Sequence, residues 1–68
     1  MFEYLKIDNT LYRIHNYHIV FSLIRLNISK NNGNDRVEMS VPEKWFHSNE
    51  KTIKFDGFNI EKIYKDEF

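Results

Sequence analysis

Sixty-eight residues with ten basic and ten acidic side chains, three histidines and no cysteine make one small, formally neutral domain. The missing cysteines exclude a disulfide framework and a cysteine-based zinc site, and the lack of a basic excess argues against a dedicated nucleic-acid binder. A domain of this size buries only about 60% of the surface its unfolded chain exposes, so its core must come from six Phe, four Tyr, Trp45 and the Ile/Leu/Val set.

Charge is unevenly spread. Residues 1–34 carry four Lys/Arg and two acids, net +2; residues 35–68 carry six against eight, net −2. Ordinary solvated charge accounts for this. The N-terminal MFEYLK has neither a basic segment nor a long apolar core, so no secretory signal is expected. The apolar runs are far too short to span a bilayer. These features predict a cytoplasmic protein without membrane contact. Ala and Gln are absent, while Ile, Asn and Lys exceed a third of the chain, the codon signature of a low-GC bacterial or phage genome. Loss of the best helix former, beside many β-branched and aromatic residues, favours strands.

YLKIDNTLYRI predicts a first hairpin turning at Asp8-Asn9, with Ile7 paired to Thr10 and Leu5 to Tyr12. Leu5, Ile7, Tyr12 and Ile14 then face the core. The opposite face carries Phe2, Tyr4, Lys6, Leu11, Arg13 and His15. In YHIVFSLIRLNISK, Ile19, Phe21 and Leu23 alternate on one parity and Leu26 and Ile28 on the other. One long strand with a bulge or bend near Ser22 to Ile24 joins the two phases; a helix over 17–30 is the alternative. NNGND is loop chemistry. RVEMSV points Val37, Met39 and Val41 inward, which makes Arg25–Lys30 and Arg36–Val41 a further hairpin. Ser40 and Glu43 fit a capping box, and Pro42 suits a first helical turn, so one short helical turn is expected near 41–47. Asp56-Gly57 suits a type I′ turn pairing Phe55 with Phe58 and Ile53 with Ile60. EKIYKDEF extends the last strand or frays, with Ile63 out of parity with Ile60. The fold class predicted is all-β, five to six strands in a small, partly open SH3-like or OB-like barrel.

Motifs for chemistry are absent. His15 and His18 sit three apart, which on a strand puts them on opposite faces, with no third ligand nearby; no metal is expected. No nucleophile elbow or glycine-rich phosphate loop occurs, so no catalytic residues and no cofactors are assigned. An acid–base site built on His15 with Glu3 and Arg13 or Arg25 is the residual enzyme reading, and 68 residues leave little room for its cleft.

The outer face of the first hairpin is too apolar for a plain solvated surface. It is covered by the C-terminal tail (Tyr64, Phe68) or the long strand, or binds a protein or a second copy, or stacks bases. Trp45 and Phe46, adjacent on a helical turn, point about 100° apart, so one plugs the barrel and the other is free to anchor a partner; Trp45 is expected to be the more buried. The function expected is a non-catalytic, protein-binding regulatory or inhibitory module using Phe2, Tyr4, Leu11, Arg13, His15 and Phe46, with a homodimer as one form of it. A small-barrel single-stranded nucleic-acid binder using Phe2, Tyr4, Arg13 and Arg25 is the alternative.

Overall fold

A computed structural model describes residues 2–67. Six antiparallel strands and one short helix follow in the order β1 Tyr4–Ile7, β2 Thr10–Val20, β3 Leu23–Lys30, β4 Arg36–Pro42, α1 Glu43–His47, β5 Thr52–Phe55 and β6 Phe58–Ile63, with a closing 3₁₀ turn at Lys65–Glu67. They form one sheet ordered β4-β3-β2-β1-β6-β5. The sheet curls into a half-barrel whose two edges, β4 and β5, do not pair. The all-β, partly open architecture stands; the helix over 17–30 does not, because β2 and β3 occupy that segment.

Local chemistry accounts for the turns. Asp8 and Asn9 take φ of 47° and 72°, and Asp56 and Gly57 take 53° and 83°. Positive φ at both central residues defines the type I′ turn that matches strand twist. The first hairpin pairs Leu5 with Tyr12 and Ile7 with Thr10, and the last pairs Ile53 with Ile60 and Phe55 with Phe58, as the sequence predicts. The β1–β2 turn is tied to β6 by Asn59 N–H donating to Asp8 Oδ1 at 3.0 Å.

The segment between these hairpins departs from expectation. The parity change is a hairpin turn at Phe21-Ser22, not a bulge within one strand. A bulge does occur, at His15, between Ile14 and Asn16. It moves Tyr17 and Ile19 to the concave face, opposite Leu26 and Ile24.

The concave face holds the core: Leu5, Ile24, Leu26, Ile28, Val41 and Ile60 are fully buried, each contributing about 1.5–3 kcal/mol. Helix α1 lies over one end of it. Its N-cap is Pro42, with no side-chain capping bond, so the Ser40/Glu43 box is not used. Glu43 N–H instead donates to the Ser22 carbonyl at 2.9 Å, which holds the helix start against the β2–β3 turn. Trp45 and Phe46 are both buried, and the angle between them gives each its own wall. Trp45 donates Nε1–H to the Thr52 carbonyl at 3.2 Å; Phe46 packs its ring 4.8 Å from Tyr17 and 5.0 Å from Phe2.

Lys62 is the outlier of the core. It sits opposite Leu5 on the inward face and is 1% exposed. Its Nζ donates to the Trp45 and Ser48 carbonyls at 2.7 and 2.8 Å, at the C-terminal end of α1. The Trp45 and Phe2 rings lie 4.6 and 5.5 Å from the ammonium. Burial lowers its pKa, opposed by the charge of Glu50. The parity break at Ile63 has its explanation here: the core position goes to Lys62, and Ile63 takes the convex side beside Tyr4.

Candidate functional site

The residues expected to form one contact surface divide between the core and the convex face. Phe2 is 5% exposed and Phe46 3%. Neither is accessible to a partner in this fold. Phe2 precedes β1, so the strand's alternation does not fix its direction, and it turns inward against Trp45, Phe46 and Tyr64. Tyr64 therefore meets Phe2 on the inward side, and its ring contact is not with the convex residues of the expected face; Phe68 lies outside the described residues. Tyr4, Leu11 and His15 are half-buried and Arg13 is exposed, all on the convex side.

On that side one row crosses the sheet: Tyr4 opposite Arg13, Arg13 opposite Ser29, Ser29 opposite Arg36. Bulging brings His15 Nε2 to 2.7 Å from Ser29 Oγ. Desolvation, then the charges of Arg36 and Arg13, lower the His15 pKa. Arg25, the remaining arginine of the chain, also faces outward and pairs with Glu38 at 3.3 Å. No group of three His, Cys, Asp or Glu suited to a metal occurs among the described residues.

The sequence predicts a partly open barrel without placing its opening, which lies between β4 and β5. This gap forms a cleft of about 310 Å³, lined by Tyr12, Val37, Met39, Phe55 and Phe58. Val37 and Phe58 are exposed there. Backbone groups also point into it. Because Glu43 donates to Ser22, alternation along the β3–β4 pair assigns Val41, Met39 and Val37 to the hydrogen-bonded set facing β3. The N–H and C=O of Arg36, Glu38 and Ser40 then face the open side. Pro42 falls in the same set, so its missing N–H costs the ladder nothing. Lys62 N–H donates to the Lys51 carbonyl at 2.9 Å, and the same alternation turns the backbone of Thr52 and Lys54 outward from β5.

Compared with family models, curated proteins and solved structures, the chain matches none.

The second exposed apolar feature is the β2–β3 tip. Tyr17, Ile19 and Phe21 are all exposed, and Phe21 is 94% so. Phe21 holds φ of 59°, with no positive φ at Ser22. That is the pattern of a type II′ turn, whose first central position favours Gly. A bulky aromatic in that conformation is strained, and its ring packs on almost nothing. No sequence rule marks FS as a turn.

Proposed function

We propose that this chain is a non-catalytic, protein-binding module of regulatory or inhibitory type. The observation carrying this reading is the unclosed barrel: two unpaired strand edges flank an apolar cleft that no segment of the described chain covers. Free edges template pairing with another chain, and apolar patches rimmed by polar groups mark interaction sites. The strained, solvent-facing Phe21 supports the same reading, since strain of this kind concentrates at functional positions. Comparing lysate capture by wild type with capture by Val37→Asn/Phe58→Asn tests it. Both side chains are exposed, so the fold tolerates the change. A stoichiometric protein retained by wild type and lost by the variant is the expected result; equal retention by both sinks the reading.

A second reading, single-stranded nucleic-acid binding on the convex face, is favoured by one observation. All three arginines of the chain lie on that face, and Arg13 and Arg36 have no ion pair among the described residues. Burial of Phe2 removes one of its expected stacking rings. Binding to single-stranded DNA or RNA that weakens steeply with salt and is lost in Arg13→Ala/Arg36→Ala would establish it; no binding at low salt would remove it.

A further inference from the structure

We infer that the occupant of the gap is an extended segment of a partner protein, added as a strand along β4, with alternating apolar and acidic residues. This rests on the protein-binding reading and specifies its partner. Three features of the gap, each of a different kind, define the segment.

Hydrogen bonding comes first. The outward N–H and C=O groups of Arg36, Glu38 and Ser40 offer three successive ladder positions; on β5 the Thr52 carbonyl already accepts from Trp45 Nε1–H, which leaves Lys54 and the Thr52 N–H on a strand of four residues against seven for β4. Strand addition therefore runs along β4, and it stops at Pro42, which has no donor. Main-chain bonds of this kind supply affinity, and alternate side-chain pockets supply specificity.

Shape comes second. Residues alternate faces along any added strand. On the concave side it meets Val37 and Met39 from β4 and Phe55 and Phe58 from across the gap. Apolar side chains at every second position fill that space.

Charge comes third. On the convex side the added strand runs beside Arg36, Glu38 and Ser40 of β4, with Thr52 and Lys54 of β5 beyond. Glu38 is already neutralised by Arg25 at 3.3 Å. Arg36 and Lys54 have no ion pair among the described residues. Asp56 stands past the end of β5, on the turn at the mouth of the cleft. The charges left to meet a guest strand along its length are cationic, so carboxylates suit the convex-side positions and lysines do not.

The probe is a capped peptide of alternating valine and glutamate, with a twin in which lysine replaces glutamate, titrated calorimetrically against the whole chain. We expect the glutamate peptide to bind and the lysine twin to bind at least about tenfold more weakly. Glu38→Pro removes one outward N–H and leaves the β3–β4 ladder intact; it should weaken binding at least about tenfold although it also removes a negative charge. Glu38→Gln, which keeps the N–H, should bind as well as wild type or better. Should Glu38→Pro fail to fold, peptides N-methylated on alternate residues serve instead: one methylation phase abolishes binding and the other does not.

Equal binding of the glutamate peptide by wild type and Glu38→Pro, or by both methylation phases, refutes strand addition. Equal binding of the two peptides refutes the acidic preference. If Val37→Asn/Phe58→Asn leaves peptide binding unchanged, the gap is not the site and the protein-binding reading falls with it. Binding of neither peptide overturns the inference, and if the chain then forms dimers that Glu38→Pro dissolves, the edge belongs to a second copy.

Discussion

Replacing Phe21 by Gly should stabilise the protein, although it deletes the most exposed side chain of the β2–β3 tip. At 94% exposure the ring loses almost no buried area on removal. A left-handed backbone costs an L-residue with a Cβ about 1–2 kcal/mol. Gly relieves this at φ of 59° and returns about 0.5–1 kcal/mol through the greater freedom of the unfolded chain. The balance is a gain of about 0.5–1 kcal/mol, which for a domain of this size raises Tm by about 3–6 °C. Phe21→Ala keeps the strain and should leave Tm within about 2 °C of wild type, as surface substitutions do. Thermal unfolding followed by far-UV circular dichroism reads both. A fall in Tm for Phe21→Gly would refute the reasoning, because it would mean that the ring is packed or the turn unstrained. Where the tip contacts a partner, the same variant loses affinity while gaining stability.

Lys62→Met keeps the aliphatic stem and removes both carbonyl contacts. The Trp45 carbonyl still accepts from Ser48 N–H and Oγ, so the main loss is at Ser48, and a cost of about 2 kcal/mol is expected from urea unfolding; a stabilised variant would show that desolvation of the ammonium dominates. Trp45→Ala should cost about 3–5 kcal/mol, a large part of the stability of any small domain, and Trp45 emission should resist acrylamide in the folded protein; free quenching would contradict its burial. His15 has a pKa lowered in the folded state, so the unfolded chain takes up its proton first. Stability should therefore hold above the unfolded value of about 6.5 and fall as pH drops through it toward the folded value. His15→Gln should flatten that slope, and an unchanged slope would place its origin elsewhere.

Much of this fold was legible because turn chemistry and alternation agree. Asp8-Asn9 and Asp56-Gly57 fix two registers, and Val37, Met39 and Val41 fix the inward parity of β4. The β2–β3 hairpin was not legible, since Phe21-Ser22 carries no turn residue and apolar side chains run through it on both sides. Its parity change was visible; the cause was not. The short helix was placed within two residues, but by Pro42 and a backbone bond to Ser22 instead of the expected Ser40 cap. Of the candidate site, Arg13, His15, Tyr4 and Leu11 do share the convex face. Phe2 and Phe46 do not, because burial of a residue outside the ladder depends on tertiary packing. The gap between β4 and β5 depends on which edges fail to meet, a property of sheet order that no local pattern encodes.

Lys62 also bears on the order in which the chain assembles. Strands β1 to β4 pair with sequence neighbours, whereas β6 must return to β1, pairing Ile63 with Tyr4 across about sixty residues of chain. Contacts of such long separation close slowly, because loop entropy is lost before they form. The clasp from Lys62 to Trp45 and Ser48, under the Phe2 ring, forms when that closure is complete. It joins the first residues described, the helix and the last strand in one knot of contacts. Breaking it should speed unfolding and leave the folding rate nearly unchanged, which makes the buried ammonium a latch on the lifetime of the native state.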